Sequence, residues 1–504
     1  MKNQIKSGAV ISYFNLVLNM CINIFFTPFL IRSLGDAEYG VYRVIQSFAG
    51  PLAIMTLGMA TLVTRNIVYY DTRRQQKEKE NFLAMGIVIS LAMAAVTLLV
   101  GAGMYAAADK MFQSSLTPAE VVTAKKLILF FVGNMALTVV NDFFAGMVRG
   151  HEKFAVANGI RTLRLVLRVI TLVVILRLGF KSVAIVATDL ALTALVLLFN
   201  VFYGMGRLGE KIKFHYWDKV MFKSSMLFSA AILLQTIINQ VNQNLDSVIL
   251  GVMTDSKTVA LYSVGLVIYT TYNSVSSIIA GLFTPAATRL VANEASAEQL
   301  TDFVSRIGRY QLMLVGAVLS GFILFGKEFI LHWLGEGYQP VYAVVLWLII
   351  PTTIPLIQSA YQAILDAKMK RMSRSVILSV MAGLNVAISI VLIHYIGYIG
   401  AAIGTAISIL LGHGLIMNIY LYKVIKLDVI KMFKDILRGL FPSILLSMAL
   451  GCPLAKFLPN TLLMFVVKII LFLIIYGLSV YFFGMNGTEK EAVQQIAKKC
   501  GCKK

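Results

Sequence analysis

The feature that most constrains this chain is a series of apolar runs, each about 20 residues long, that recurs along its whole length. A helix of about 20 residues crosses a hydrocarbon core roughly 30 Å thick. Hydrophobic residues make up 58% of the 504 residues and charged residues only 14%, which is more apolar than a soluble domain needs. The alternating segments of about ten residues that typify membrane β-barrels are absent from the sequence. The pattern therefore predicts an all-α polytopic membrane protein.

We count about fourteen candidate transmembrane helices. They cover residues 8–31, 40–64, 82–106, 125–148, 154–177, 182–205, 222–250, 259–284, 307–327, 340–364, 374–396, 398–422, 439–456 and 461–483. The first is expected to be a retained helix and not a signal peptide, because no small-residue cleavage site follows a short apolar core. The connections are short and polar or basic, and none has the size of a soluble catalytic domain.

The net charge of +21 is distributed unevenly along the chain. Basic clusters follow the second, tenth and twelfth predicted spans, and if the N-terminus is cytoplasmic most of the 45 Lys and Arg residues lie on the inner side. This asymmetry predicts that both termini are cytoplasmic. Because topology accounts for the charge, we expect no nucleic-acid partner.

A faint internal repeat relates spans one and seven. In each case a helix with a polar stripe leads through a short outer turn into a helix that carries tyrosine. Span seven comes six helices after span one, an even offset, so the halves share one orientation, as in transporters built from parallel repeats. We therefore expect two pseudo-symmetric six-helix lobes, residues 1–221 and 222–425. Residues 426–504 would add two transmembrane helices and a cytoplasmic tail.

Three arginines lie in the predicted span 154–177. Arg161, Arg164 and Arg168 fall within an arc of about 60° on one helix face. Arg164 would lie about 15 Å deep, where a guanidinium group is costly unless it faces a bundle interior or a wet cavity. A cationic stripe at this depth favours an anionic substrate, and a diphosphate or an acidic sugar would take the arginines as bidentate partners.

A structural ion network is the alternative reading of these arginines. Three aspartates in neighbouring spans could nearly balance them: Asp142, Asp189 and Asp246. Both interpretations hold together if the acids neutralise the arginines while the cavity is empty. Arg43, shallow in span two, is a candidate for the outer rim of the cavity, with snorkelling to the interface as the alternative.

Two stripes of polar residues occupy equivalent helices of the two halves. Span one carries Asn15, Asn19 and Asn23, and span seven carries Gln235, Asn239, Asn242 and Asp246. Amides donate and accept hydrogen bonds, so the stripes suit sugar hydroxyls as well as helix–helix contacts. Tyr262, Tyr269, Tyr272 and Asn273 in span eight could form a sugar-stacking wall, although aromatic residues are common packing residues in bundles.

No cofactor is predicted. The sequence has no phosphate-binding loop of the G-x-x-x-x-G-K-[ST] type, and its histidines and four cysteines lack metal-ligand spacing. Transport would therefore be coupled to an H⁺ or Na⁺ gradient, to the membrane potential or to product consumption. Lys468, in the last span, is expected to snorkel or to contact lipid.

Several stretches resemble the polysaccharide-transporter family, the O-antigen and capsule repeat-unit (Wzx-type) flippases of the multidrug/oligosaccharidyl-lipid/polysaccharide (MOP) exporter superfamily. These stretches are Pro28–Gly40, the turn Arg149–Phe154, Leu245–Gly251 with Tyr262, and Gly397–Gly404. The resemblance implies a MATE-like fold around a central cavity. It also implies that an undecaprenyl-diphosphate-linked oligosaccharide is flipped from the cytoplasmic to the outer leaflet of a bacterial cytoplasmic membrane. The cationic cavity would then map onto Arg161, Arg164 and Arg168.

The resemblance also implies the partners: the lipid-linked oligosaccharide, membrane lipids and, as a candidate, a polysaccharide polymerase. Span one lacks the arginine set expected of a peptidoglycan- or teichoic-type precursor flippase, and it lacks the embedded acid expected of a cation-coupled multidrug exporter. An integral membrane glycan polymerase or ligase would need a large outer loop, which the sequence does not contain. Those classes remain the alternatives to a non-enzymatic oligosaccharide flippase.

Overall fold

The computed structural model describes residues 2–49, 52, 54–56, 58–113, 115–216, 218–219, 246–368 and 370–499. Most of these residues are helical, and none of them lies in a β-strand. Eight of the described helices are long and apolar enough to cross a membrane, or nine if one bent pair counts as a single span. The all-α polytopic class is confirmed, and fourteen is an approximate count because the predicted span 222–250 lies almost wholly outside the described residues.

The chain divides into two compact units, Met1–Ser263 and Val264–Lys504. The predicted division into residues 1–221, 222–425 and 426–504 stays a prediction, since its first boundary falls at residues that the structure does not describe. Seven helices of the first unit precede that gap. They are α1 (Lys2–Leu34), α2 (Asp36–Ser47), α3 (Met59–Thr72), α4 (Gln76–Phe112), α5 (Pro118–Gly150), α6 (Phe154–Arg177) and α7 (Ser182–Arg207).

The predicted continuous span 40–64 is wrong, because the structure divides it between two helices. Helix α2 ends at Ser47 and α3 begins only at Met59. Gly58 precedes α3 with φ +60°, a left-handed conformation that glycine adopts without the steric cost of a side chain. A helix does not continue through such a residue, so Gly58 explains why α3 begins at Met59, whereas α2 ends earlier and a 3₁₀ turn at Ile54–Thr56 lies between the two helices.

Helices α5 and α7 run side by side and are joined by polar contacts one heptad apart. Thr193 Oγ1 donates to Asn134 Oδ1 over 2.5 Å, and Asn200 Nδ2 donates to Asn141 Oδ1 over 2.9 Å. Each pair is buried, so it satisfies polar atoms that would otherwise lack partners in an apolar bundle. The repeated seven-residue offset fixes the register of α7 on α5.

Helix α8 (Ser256–Ala292) starts in the first unit and continues into the second. The later helices are α9 (Ala297–Leu334), α10 (Val341–Ile357), α11 (Ala360–Ala367), α12 (Arg371–Ile396), α13 (Tyr398–Ile425), α14 (Val429–Leu437), α15 (Leu440–Phe457), α16 (Leu462–Gly484) and α17 (Gly487–Lys499). Helices α10 and α11, predicted as the single span 340–364, meet at a bend of 49°. Pro351 and Pro355 lie inside α10, upstream of the bend.

Lys468 is not a lipid-contacting residue, which corrects the sequence interpretation. Its side chain is fully buried, and its ammonium group lies 2.8 Å from Glu328 Oε2 and 3.0 Å from Asn460 Oδ1. A lysine that snorkels keeps its ammonium group in water, whereas Lys468 of α16 pairs with the carboxylate of Glu328 on α9. The partner is 140 positions away in sequence, so spacing along the chain could not reveal it.

A cluster of charged residues joins the ends of four segments in the first unit. Lys79 Nζ lies 2.6 Å from Asp71 Oδ1 and 2.8 Å from Glu210 Oε1, and His151 Nε2 lies 2.6 Å from the same Glu210 atom. Burial raises the pKa of the Glu210 carboxyl, but its hydrogen bonds with His151 and Lys79 outweigh burial and hold that pKa below its ordinary value. The cluster therefore ties the segment after α7 to the ends of α3, α4 and α5.

We predict that Glu210→Gln destabilises the protein in a pH-dependent way. A carboxyl group with a lowered folded pKa stabilises the fold above its ordinary pKa of 4.5, and this contribution is lost as pH falls through the folded value. Near neutral pH the variant should lose about 2 kcal/mol, the range for hydrogen bonds to charged groups. Thermal unfolding in detergent at several pH values measures the difference, with the exposed Glu336→Gln as control. A difference that stays constant down to acidic pH would contradict the assignment.

Candidate functional site

The three predicted arginines lie along one stretch of α6, which packs against α1, α5 and α7. Their environments differ in a graded way along the helix. Arg168 has a carboxylate partner, Arg164 has a neutral partner, and Arg161 is exposed.

Arg168 forms a bidentate ion pair with Asp189 of α7. Its Nε lies 2.5 Å from Asp189 Oδ1, and a terminal nitrogen lies 2.9 Å from Oδ2. The side chain of Asp189 is 11% exposed and that of Arg168 is 28% exposed. A terminal nitrogen of Arg168 also reaches the Tyr42 hydroxyl at 3.5 Å. Asp189, one of the aspartates proposed for a structural network, therefore neutralises Arg168 by direct contact.

Arg164 has a hydroxyl partner and no carboxylate partner. Its terminal nitrogen donates to Thr193 Oγ1 over 2.7 Å, and the same hydroxyl donates to Asn134 on α5. Within the described residues no carboxylate accepts a hydrogen bond from Arg164, although Asp142 and Asp189 attract it electrostatically. The guanidinium group thus keeps its charge and most of its donors available while Thr193 fixes its direction.

Arg161 lies one turn closer to the start of α6 and is exposed. The part of the chain that the structure describes offers it no hydrogen-bond acceptor. It lies near enough to Arg164 for the two like charges to interact. Two guanidinium groups on adjacent turns, neither held by a carboxylate, form the core of the candidate site.

Arg43 lies on α2, beside Tyr42, which contacts Arg168. Its Nε is buried and has no hydrogen-bond partner among the described residues. A buried donor without an acceptor is uncommon in folded proteins. The predicted rim residue therefore belongs to a helix that touches the arginine-bearing helix pair.

The three asparagines predicted to line α1 have different surroundings. Asn15 is buried against α6, where it accepts from Thr162 Oγ1 at 2.7 Å and donates to the Asn158 carbonyl at 3.3 Å. Asn19 donates to the Asn15 carbonyl on its own helix, and Asn23 is exposed. Asn15 thus holds α1 on the arginine-bearing helix, while Asn23 keeps its amide open.

The second predicted polar stripe is described only at its end. Gln235, Asn239 and Asn242 lie outside the described residues. Asp246 accepts a hydrogen bond from the Tyr262 hydroxyl at 2.9 Å, and Tyr262 is fully buried. Tyr272, buried as well, hydrogen-bonds Thr353 at 2.8 Å. The idea of a sugar-stacking wall is wrong for both tyrosines, which pack in the core.

The structure adds two neighbours of the candidate site, Glu38 and Thr193, that sequence reasoning missed. Glu38 of α2 accepts from the backbone N–H of Ser182 at 2.9 Å and from its hydroxyl at 2.7 Å. This places a carboxylate at the N-terminus of α7, where the helix dipole favours negative charge. Glu38 and Thr193 both position the helix pair that carries Arg164 and Asp189. Thr193 follows Asp189 by one helical turn, which was the available sequence signal.

One group among the described residues has the spacing of metal ligands, namely Asp71, His151 and Glu210, whose ligand atoms lie within 4.8 Å of one another. Lys79 contacts both carboxylates of this group, at 2.6 and 2.8 Å. The ammonium group therefore supplies the positive charge that a metal would bring, and the donor set fits an ion-pair cluster better than a metal centre.

We predict that Asp189→Ala destabilises the first unit by about 3 kcal/mol, because it leaves the Arg168 guanidinium without its buried partner. Replacing the pair together, as Arg168→Leu with Asp189→Leu, should recover most of the loss. Thermal unfolding in detergent distinguishes the two variants. Equal stability of Asp189→Ala and the wild-type protein would show that the ion pair contributes nothing.

Comparison with known proteins agrees with this architecture. The model of the family described as "Polysaccharide biosynthesis protein" matches residues 5–291, more than half of the chain. The "Uncharacterized membrane protein EpsK" of Bacillus subtilis (strain 168) is 21% identical over 452 residues, which cover 84% of each chain.

Two solved structures share the fold. The lipid II flippase MurJ in an inward closed conformation gives a TM-score of 0.74 at 13% identity, covering 94% of this chain and 98% of that one. An inward-facing MATE-family transporter of the MOP superfamily gives a TM-score of 0.65 at 14% identity, covering 79% of this chain and 91% of that one. The chain is thus a multi-pass membrane protein with the MOP-superfamily fold, and it belongs to the polysaccharide biosynthesis protein family.

Proposed function

We propose that this protein is a flippase for undecaprenyl-diphosphate-linked oligosaccharide repeat units. It moves them by alternating access from the inner to the outer leaflet of a bacterial cytoplasmic membrane, for export of cell-surface polysaccharide. The observation that carries the proposal is the pair Arg161 and Arg164, two guanidinium groups on a membrane helix without a carboxylate bound to either. Ionisable residues in membrane segments are functional sites by default, because holding a charge there is costly.

The chemistry of the two arginines matches a diphosphate. Each phosphate of a diphosphate diester is anionic, and each guanidinium presents a planar fork of donors that suits phosphate oxygens. Thr193 uses one donor of Arg164 and fixes its direction, so less entropy is lost when a phosphate binds the remaining donors. The adjacent turns of α6 present the two forks side by side.

Arg168 has a positioning role in this proposal. Its bidentate pair with Asp189 fixes α6 against α7, and Asp189 lies one turn from Thr193, the partner of Arg164. The pair also adds little net charge to the site. The net positive charge that attracts the substrate then comes from Arg161 and Arg164, with Arg43 as a further cation on α2.

The open amides of α1 would meet the sugars. Asn23 is exposed, and Asn19 retains its side-chain oxygen as an acceptor while its nitrogen contacts the helix backbone. Amide groups donate to and accept from sugar hydroxyls without adding charge. Coupling to an H⁺ or Na⁺ gradient belongs to the same proposal, as does consumption of the flipped unit by a polymerase.

A peptidoglycan- or teichoic-type precursor flippase is the second candidate. It would use the same arginines, because its lipid-linked substrates carry the same kind of phosphate groups, and the fold shared with the lipid II flippase MurJ supports it. A cation-coupled multidrug exporter fits less well, since two guanidinium groups that form no ion pair with a described carboxylate repel a cationic drug.

We predict that Arg161→Ala and Arg164→Ala each slow flipping by about tenfold or more, the effect of losing a charged hydrogen bond to the substrate. The assay follows translocation of a diphospholipid-linked oligosaccharide in proteoliposomes. Arg177→Ala is the matched control, because Arg177 is an exposed arginine at the end of the same helix. It should flip at the wild-type rate.

Full flipping by the folded double variant Arg161→Ala, Arg164→Ala would overturn the role of these arginines. Failure of folded wild-type protein to flip any such lipid, combined with efflux of a cationic drug, would favour the exporter. Flipping of lipid II in preference to oligosaccharide repeat units would favour the second candidate.

A further inference from the structure

A basic pocket of about 840 Å³ lies in the second unit, where α13 ends and α14 begins. Five cations line it: Lys423, Lys426, Lys431, Lys434 and Arg438. Two acids, Asp428 and Asp435, share the lining. It is separate in sequence and in structural unit from the arginines of α6.

Local backbone structure builds this pocket. Lys426 ends α13 with φ +64°, a left-handed conformation that turns the chain sharply. Asp428 then caps α14, accepting from the Lys431 backbone N–H at 2.9 Å. Arg309 of α9 holds the far end of α14, donating to the carbonyls of Asp435 and Arg438 at 2.9 and 2.8 Å. The pocket is therefore organised before any ligand arrives.

The cations of the pocket outnumber the acids beside them, and four of the five cations form no ion pair with a described residue. Lys431 is neutralised by acids of α9, with its ammonium 3.2 Å from Glu298 and 2.9 Å from Asp302. The other four cations have no side-chain hydrogen bond to any residue in the described part of the chain. Two acids lie in the same lining: Asp428, whose carboxylate caps α14, and Asp435. The pocket thus has the charge of an anion site.

Exposed apolar side chains in the same pocket indicate that the anion belongs to a lipid. Ile430 is 82% exposed and Tyr422 is 62% exposed, and both line the pocket. On the opposite side of α14, Met432 and Ile436 are fully buried. A short helix with a buried face, a basic face and a protruding isoleucine is typical of the membrane interface. A free phosphate would gain nothing from the apolar groups.

The pocket lies at the end of the unit where α9 begins and α16 ends, since Arg309 also donates to the Gly484 carbonyl at 2.7 Å. The distribution of Lys and Arg predicts that this end is cytoplasmic. Anionic lipids concentrate in the cytoplasmic leaflet and attract basic clusters close to transmembrane helices. The position of the pocket, its positive charge and its exposed apolar side chains therefore indicate an anionic lipid as the ligand.

We propose that this pocket binds the headgroup of an anionic phospholipid of the cytoplasmic leaflet. The phosphate lies among Lys423, Lys426, Lys434 and Arg438, and the acyl chains run past Ile430 and Tyr422 into the bilayer. The bound lipid anchors the α13–α14 junction to the membrane surface. The site is additional to the substrate site proposed on α6.

The test measures phosphatidylglycerol bound to the full-length protein in detergent by native mass spectrometry. The test variant replaces Lys423, Lys426, Lys434 and Arg438 together by Gln. The matched control replaces four exposed lysines of the first unit by Gln: Lys77, Lys211, Lys213 and Lys219. Both variants lose the same charge at the end of the protein predicted to be cytoplasmic, so non-specific attraction falls equally.

We expect the wild-type protein and the control variant to bind phosphatidylglycerol alike and the pocket variant to bind it about tenfold or more weakly. Phosphatidylcholine should bind weakly to all three. A variant with Lys423, Lys426 and Lys434 changed to Arg should bind like the wild type, which separates loss of charge from misfolding.

Three results would overturn the proposal. Equal binding by the pocket variant and the control would show that the pocket is not the site. Equal affinity for phosphatidylcholine would remove the role of headgroup charge. Displacement of the lipid by inorganic pyrophosphate at matched concentration, or a clear preference for undecaprenyl diphosphate, would assign the pocket to another phosphate source.

Discussion

The cost of a guanidinium group inside a membrane bundle is the constraint on which the candidate site depends. The protein meets this cost at Arg168 by providing Asp189 on the adjacent helix in bidentate geometry. At Arg164 a hydroxyl group offsets only part of this cost. At Arg161 no described residue offsets it by direct contact. Arg168 is thus neutralised at one end of the stripe, and the proposed function assigns anion binding to the two arginines at the other end.

The stretches that resemble the polysaccharide flippases mainly contribute to helix packing. A side chain at Gly40 would collide with the Ser256 carbonyl, and one at Gly251 would lie 2.9 Å from Val44. Glu38 in the same segment holds the N-terminus of α7. These residues bring α2 close to the chain around residues 246–256 and to the arginine-bearing helices. They support the site without belonging to it.

The sequence predicted the helical class and the arginine stripe because both are periodic signals along one helix. Pairings between helices could not be predicted from the sequence. Asp189 was one of three candidate partners for the arginines, and only the packing of α6 on α7 selects it. The prediction that Lys468 snorkels or contacts lipid was wrong because its partner Glu328 lies on a helix distant in sequence. The break before Met59 depends on the left-handed backbone of Gly58, which an apolar run conceals. The basic pocket could not be predicted because its cations come together only through the turn at Lys426.

The central claim is that Arg161 and Arg164 recognise the diphosphate of a lipid-linked substrate, and binding tests it most directly. The measurement compares the affinity of the purified protein for a short-chain polyprenyl-diphosphate oligosaccharide with that for the same glycan on a polyprenol without phosphate. We predict that the wild-type protein prefers the diphosphate by about tenfold or more and that the double alanine variant loses this preference. An equal preference in both proteins would contradict the account and leave the arginines with a structural role.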